Sequence, residues 1–491
     1  MKNCVILMTV FCLLISPCNF LQVLFFMSCY GGHFGTMSSL LFPICTQNNC
    51  TVIESAQLCE KKLEVFHNFL KFDVIKRHGL PNDYPFSGNY DLLFSFCPRL
   101  LEGYEFSYNV LKEILEKDRE KFDILVVDQV IFPSTLVAAE LFDVPVVVES
   151  VAVPGAVECI QDKIEMSIYE IVALKPFFTK CWNWIDQKRS ENDLPKLDFQ
   201  GNFVINEYAS RFPMLVPTSP LVYPKPHPSA EYIYFGGLRD KNFSNVPLES
   251  DLENWIRQSA GDIVYVSLGT HAVLNEQSVK SFLQKIENQN SFRVIWAMSQ
   301  TLKLVAENAS KKMSDKVFIS GYLPQYSLLA EEKVKVFVSH CGLGSLVDFI
   351  KRRKPAVCVP QFGDQFPNAV IVENLKIGLD IRNFNFDQIE NAIQKIQKNY
   401  QNFVTNLTEI EKEFAQFEDY NAINEFVHKI ASRGKTTVQY KLKYQINAKR
   451  VHVTWKVITI LSCSSLLCFM LFVVNFISRL MAPNDEKKKK H

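Results

Sequence analysis

A histidine, a serine and an aspartate stand at the joints of a stretch whose types and spacing suit the holding of a phosphorylated, hydroxyl-rich ligand. The run VKVFVSH is β-rich and ends in His340, CGLGS interrupts it, and SLVDFIKRR carries a helical pattern. That order predicts a buried strand whose carboxyl end turns through Gly342 and Gly344 into a helix. The first turn of such a helix presents N–H groups with no partner inside the helix, and these favour an anion. Ser345 and Asp348 lie three apart and so share a helix face, where the hydroxyl can meet a phosphate while the carboxylate accepts from sugar hydroxyls. A nucleotide fits this chemistry. The two glycines alone also suit an ordinary strand-to-helix turn around a hydrogen-bonded histidine, because a lone G-x-G is a weak signal.

The whole stretch 321–366 resembles the donor-binding signature of the UDP-glycosyltransferases, the family that includes the animal UDP-glucuronosyltransferases and the plant secondary-metabolite enzymes. The resemblance places Tyr322 at the residue that stacks on uracil and Gln325 at the one that hydrogen-bonds the nucleoside. It makes His340 and Ser345 diphosphate contacts, with Gly342 in the turn between them, and Asp348 the ribose-binding carboxylate. Asp364 and Gln365 become the acidic-Gln pair that holds the donor sugar. Three positions depart from the usual pattern: Tyr322 replaces Trp, Asp348 replaces Glu, and Gly344 replaces a frequent Asn.

These residues need elements to hold them, and the chain is long enough to supply several. At 491 residues, with 48% hydrophobic and 21% charged residues, it is a globular chain of two to four domains. A net charge of +1 argues against nucleic acid as a partner, since phosphate-backbone binding needs a clustered basic surface.

Met1 to Asn3 followed by CVILMTVFCLLIS and Pro17 reads as a secretory signal over 1–19. Val457 to Ile477 is uncharged and long enough to cross a bilayer, with Trp455 at its edge, which predicts a single-pass membrane protein with a luminal body. A buried core helix is the other reading of that run. The closing residues, with lysines at 488 and 489, match a dilysine endoplasmic-reticulum retrieval signal, or else a plain stop-transfer charge run. Sequons at Asn49, Asn242, Asn308 and Asn406 agree with a luminal body. Of 14 cysteines, five fall in the signal or the span, leaving nine for the lumen, an odd number; no C-x-x-C or Cys/His ligand spacing occurs, so a zinc site is not expected and disulfides are not the framework.

Along the body, LQVLFF reads as a first buried strand and SCYGGHFG as the Gly-rich loop at its carboxyl end, with His33 in that loop, where open α/β sheets gather catalytic groups. Pro43 falls inside the helix expected next. Residues 57–120 read as helical and loop-rich. KFDILVVDQVIFPSTLVAAELFDVPVV reads as strand, turn, helix and strand, with Asp128 ending the first strand; a helix N-cap is the plain reading of that aspartate. DIVYVSLGT opens a second strand-helix series and ends on Gly269 and Thr270. Two such halves predict two Rossmann-like domains facing a cleft, 20–235 and 251–434, joined by a linker over 236–250 and followed by a juxtamembrane segment 435–456, a membrane helix 457–477 and a basic tail 478–491.

The resemblance implies the α/β GT-B arrangement of two Rossmann-like domains and an inverting transfer of a sugar from a UDP-sugar to a small lipophilic acceptor. Glucuronate is the first donor sugar expected and glucose the alternative. His33 becomes the general base that removes the acceptor proton, Asp128 the carboxylate that orients it, and Thr270 a loop residue near the diphosphate. No metal or other cofactor is implied, and no D-x-D motif occurs. The implied partners are the UDP-sugar, the acceptor and the bilayer, with room for a homo-oligomer. Two other classes stay open: a UDP-sugar epimerase, which needs neither an anchor nor an apolar acceptor half, and a catalytically weak binding protein. UDP release in the presence of acceptors separates them.

Overall fold

The computed structural model describes residues 20–434 apart from 28–30, 55–62, 65, 67–69, 78–91, 129–132, 151–179, 181–182, 196–211, 224–230, 238–245, 270–273, 275, 299, 310–314, 322, 362–363 and 383, and apart from the side chains of 31–33, 92–100, 133, 300–301 and 307–309. The expected signal, membrane helix and tail lie outside the described residues, as do Thr270, Tyr322 and the side chain of His33. Among the described residues no helix is long and apolar enough to cross a membrane.

Two parallel sheets organise the body. The first comprises β1 (Gln22–Phe26), β2 (Asn49–Glu54), β3 (Phe72–Lys76), β4 (Ile124–Asp128), β5 (Val146–Glu149), β6 (Met214–Val216) and β7 (Tyr232–Tyr234), in the order β3-β2-β1-β4-β5-β6-β7. Its first helix, α1 (Gly31–Cys45), follows β1; α2 (Leu92–Asp118) and α3 (Pro133–Leu141) flank β4 in sequence. The second sheet comprises β8 (Ile263–Ser267), β9 (Arg293–Ala297), β10 (Val317–Ser320), β11 (Val334–Ser339), β12 (Ala356–Cys358) and β13 (Gly378–Asp380), in the order β10-β9-β8-β11-β12-β13. Between and after them run α4 (Ser250–Gln258), α5 (Glu276–Asn288), α6 (Gln300–Ala309), α7 (Gln325–Leu328), α8 (Leu343–Lys351), α9 (Gln365–Asn374), α10 (Phe386–Lys398), α11 (Tyr400–Ala415) and α12 (Tyr420–Ala431).

Central strands such as ILVVD of β4 are buried at every position, so they read as continuous apolar runs rather than alternating ones. Parallel sheets covered on both faces require this. In each sheet the strand order reverses once, between β1 and β4 and between β8 and β11. At such a reversal the following helices diverge to opposite faces and leave a crevice outside the carboxyl ends of the strands.

The structure corrects two local readings. The span 57–120 contains a strand, β3, which pairs with β2 from Cys50↔Phe72 to Glu54↔Lys76. As an edge strand it keeps most positions partly open, so FDVIK lacks the apolar run that marks its neighbours. His33 belongs to the first turn of α1 rather than to a loop before it. Pro43 sits within the last turn of the same helix, whose end is tied by Asn48: Nδ2 donates to the Ile44 carbonyl at 3.0 Å and Oδ1 accepts the Leu21 N–H at 3.1 Å. Disulfides are also present, Cys45–Cys50 between α1 and β2 and Cys341–Cys358 between the ends of β11 and β12.

The two sheets are fastened to one another through helices. Phe414 of α11 and Val347 of α8 belong to one apolar cluster with the first sheet's Val148 and Leu215. Helix α8 is buried at every residue from Leu343 to Ile350 because α1 and α11 both pack on it. Helix α12, at the end of the second half, crosses back onto α1, β4 and β5. There Asn48 donates to Asn424 Oδ1 at 2.7 Å, and His428 Nε2 lies 3.0 Å from Asn48 Oδ1.

Candidate active site

The reversal between β8 and β11 places Ser267-Leu268-Gly269 beside Ser339-His340, since Ser267 and Ser339 are register partners at the two carboxyl ends. His340 stands in this crevice between two glycines. A Cβ on Gly269 would lie 3.0 Å from the imidazole and one on Gly342 2.7 Å, so both positions must lack a side chain for the ring to fit. Gly269 also has φ of +80°, a conformation open to glycine at no steric cost. Gly342 is the N-cap of α8 and offers no side chain to the helix's first turn.

Cys341 lies between these residues in the left-handed region, at φ of 59°. A non-glycine residue is held there only when its surroundings over-determine it. Three ties do so: its N–H donates to Ser339 Oγ at 3.0 Å, its carbonyl accepts from Asn368 Nδ2 at 2.9 Å, and its sulfur is bonded to Cys358.

Burial holds the His340 pKa down at about 4, with a partial offset from the Ser267 backbone, and its Nδ1 is sealed from solvent without a well-formed hydrogen bond among the described residues. The ring is therefore neutral near pH 7 and offers an N–H donor rather than a charge. The native state then refuses a proton that the unfolded chain accepts near pH 6.5, so stability falls as pH drops from about 6.5 to about 4. A depression of this size corresponds to about 3 kcal/mol. Asp380 works in the opposite sense. Burial raises its pKa to about 6, against the lowering effect of Arg382 2.8 Å away and with a small raising effect from Glu373, so it adds stability as pH falls through that value. We therefore expect the urea midpoint of the His340→Gln variant to fall less between pH 7 and pH 4.5 than that of the unaltered protein. Parallel pH curves for the two would remove His340 as the source.

The face formed by Ser345 and Asp348 is met by α7. Gln325 Nε2 donates to Asp348 Oδ2 at 2.9 Å and lies 3.3 Å from Ser345 Oγ. Both α8 residues are only 8% exposed. Arg352, one turn beyond Asp348, donates to the Tyr326 carbonyl at 2.9 Å and stacks over that ring at 3.7 Å, which fastens α7 to α8. Gln325, Ser345 and Asp348, separate in sequence, thus form one polar cluster. The next element brings Asp364 and Gln365 to the start of α9. Gln365 is 4% exposed, and its Oε1 accepts the Gln361 N–H at 2.8 Å, which shapes the loop before the helix.

In the first sheet, β1 and β4 are neighbours with Phe26↔Val127 in register, so Asp128 ends the strand beside the one that leads to His33. Asp128 is fully buried and in register with Glu149, also fully buried, at the end of β5. The topology therefore sets His33 and Asp128 at the same carboxyl edge of the first sheet. Among the described residues no cluster of acidic, histidine or cysteine side chains has the form of a metal site.

Among the buried polar residues that the sequence reading did not single out are Glu149 and Asn368. The signal for Asn368 is its place four residues after Asp364, on the same helix face, where Nδ2 reaches the Asp364 carboxylate at 3.0 Å.

Residues 203–416 match the family model described as UDP-glucoronosyl and UDP-glucosyl transferase. The chain is 34% identical over 148 residues to UDP-glycosyltransferase 74C1 of Arabidopsis thaliana, covering 29% of this chain and 32% of that protein. It is also 34% identical over 155 residues to UDP-glucuronosyltransferase 3A2 of Homo sapiens, covering 30% and 28%. The matched part thus spans about a third of the length of these curated relatives. Among solved structures, UDP-glucose: anthocyanidin 3-O-glucosyltransferase in complex with UDP superposes with a TM-score of 0.60 at 15% identity, covering 84% of this chain and 99% of that one. The glycotransferase of kitacinnamycin gives 0.61 at 15%, with the same coverage.

The fold is the GT-B glycosyltransferase fold, two parallel-sheet α/β domains. Over residues 203–416, the chain resembles the UDP-glycosyltransferase family.

Proposed function

We propose that the protein transfers a sugar from a UDP-sugar to a small lipophilic hydroxyl acceptor, releasing UDP and inverting the anomeric carbon. The observation that carries this reading is the cluster at the carboxyl end of the second sheet: neutral His340 held between Gly269 and Gly342 at the start of α8, with Ser345 and Asp348 drawn together by Gln325. Tyr322, just before α7, stacks on the uracil and Asp348 takes the ribose hydroxyls. The diphosphate meets His340, Ser345 and the N-terminal end of α8, with Thr270 close by. Asp364 and Gln365 take the donor sugar.

At the facing edge of the first sheet, His33 removes the proton of the acceptor hydroxyl as it attacks. Asp128 holds the imidazole in the productive tautomer and stabilises the imidazolium that forms. The anomeric centre passes through an oxocarbenium-like state, as glycosyl transfer generally does. The UDP that departs as an anion is stabilised by N–H donors already in place and by the α8 dipole. Because His340 is neutral before the ligand arrives, an incoming diphosphate is met by hydrogen bonds first, and its charge then favours protonation of the ring. The donor sugar is glucuronate or glucose, and relatives bearing both names match the chain.

The test is incubation of the purified full-length protein with UDP-glucuronate or UDP-glucose across a panel of phenols and sterols, with UDP measured as product. Release that depends on both donor and acceptor is expected. Conversion of the UDP-sugar without acceptor indicates an epimerase or hydrolase, and nucleotide binding without turnover a binding protein; either result overturns the proposal.

A further inference from the structure

Asn368, on α9, is fully excluded from solvent, and its one amide serves three parts of the molecule. Nδ2 donates to the Cys341 carbonyl at 2.9 Å, in the turn that carries His340, and to the Asp364 carboxylate at 3.0 Å. Oδ1 accepts from the hydroxyl of Tyr223. Tyr223 comes from the other half of the chain. It closes the turn Ser219–Tyr223 that follows β6 of the first sheet, is 2% exposed, and is held from behind by Tyr234 Oη, which donates to the Tyr223 carbonyl at 2.8 Å.

The chemistry of these partners leaves the amide one orientation. A carbonyl and a carboxylate oxygen both require a donor, so the NH2 must face Cys341 and Asp364, and the amide oxygen must face Tyr223. The phenol is the only one of the three groups that can donate to it. Turned the other way, the amide oxygen would face two acceptors in a buried site. Tyr223 therefore does more than fill space between the domains, since its hydroxyl supplies the donor that the buried amide oxygen needs and so steadies the amide that holds Asp364.

We infer that Tyr223 is a positioning residue for donor-sugar recognition: acting through Asn368, it lets the acceptor half of the molecule hold the Asp364 carboxylate in the geometry that receives the sugar hydroxyls. The inference rests on the reading of Asp364 as a donor-sugar contact. It also ties the sugar end of the donor site to the first half by a hydrogen bond, whereas Gln325, Ser345 and Asp348 of the nucleotide end bond to one another.

Removing only the hydroxyl tests this. Tyr223→Phe keeps the ring in its apolar surroundings and leaves Asn368 Oδ1 short of a buried donor. The Cys341 turn retains its Ser339 bond and its disulfide, so the loss falls on Asp364. Calorimetric titration of the full-length protein with UDP, UDP-glucose and UDP-glucuronate should show UDP binding nearly unchanged and the affinity for the UDP-sugar that is bound lowered about five- to tenfold, the scale of one buried hydrogen bond. In an Asp364→Ala background the same Tyr223→Phe change should add nothing further, because nothing remains for the amide to orient. Equal weakening of UDP and UDP-sugar, no weakening of either, or the full effect persisting in the Asp364→Ala background overturns the inference, the first and last outcomes marking Tyr223 as a general packing residue. If the unaltered protein binds none of the three nucleotides, the donor-site reading itself falls and this inference with it; binding by the unaltered protein separates the two failures.

Discussion

Alanine in place of His33 is expected to reduce turnover by about 100- to 10,000-fold, the usual share of a general base. Affinity for UDP should remain nearly intact. The division follows from the architecture: His33 opens α1 at the carboxyl edge of the first sheet, whereas the residues assigned to the nucleotide lie around α7, α8 and the turn between β11 and α8 in the second. Proton removal and donor binding therefore belong to different halves and should separate on mutation. Steady-state rates with a UDP-sugar and an active phenol, alongside calorimetry with UDP, make the comparison. Turnover at the original rate would exclude His33 from the mechanism and direct attention to another base. A parallel loss of UDP binding would mean that α1, which packs on α8, had been disturbed rather than chemistry removed.

The second large effect concerns Asp348. Its carboxylate accepts from Gln325 at 2.9 Å, so the cluster proposed for the nucleoside is already assembled without ligand. Truncation to alanine removes both the ribose partner and the acceptor that holds Gln325. Hydrogen bonds to a charged group contribute roughly 1.5 to 3 kcal/mol, so Asp348→Ala should raise the dissociation constant for UDP about tenfold or more. UDP-sugars should lose affinity by the same factor, because the ribose is common to both. Asp364→Ala should behave differently, sparing UDP and weakening only the UDP-sugar. Equal losses of UDP affinity in the two variants would show that the ribose and the sugar have been assigned to the wrong carboxylates.

These variants also distinguish a transferase from a protein that only binds. A binding protein should show the Asp348 and Asp364 effects in full and no catalytic consequence at His33. An epimerase should turn over without acceptor and be indifferent to acceptor structure. The Tyr223 comparison adds an independent readout, since it perturbs the sugar end of the site from the opposite half of the molecule without touching the ligand.

Residues close together in sequence made much of this legible before any coordinates. VKVFVSH had to be a buried parallel strand because it is apolar at successive positions, and the observed β11 is buried at nearly all of them. The spacing of Ser345 and Asp348 put them on one face because the helical repeat returns after three or four residues, and α8 holds them there. The alternation of strand and helix signals implied two parallel sheets, since parallel neighbours need a crossover between them. Where the local pattern was weak, as in the half-exposed β3, the same reasoning failed.

Other features had no local trace. Only the folded chain brings Gln325 onto Asp348, closes Cys341 onto Cys358, carries α12 back to the first sheet and joins Tyr223 to Asn368 across 145 positions. The physical reason is one of range. Backbone periodicity and turn chemistry act over a few residues, so composition and spacing determine which groups can share a strand end or a helix face. Contacts between distant segments depend on how whole sheets and helices exclude water together, and each buried amide or carboxylate then takes whichever partner that packing leaves within reach.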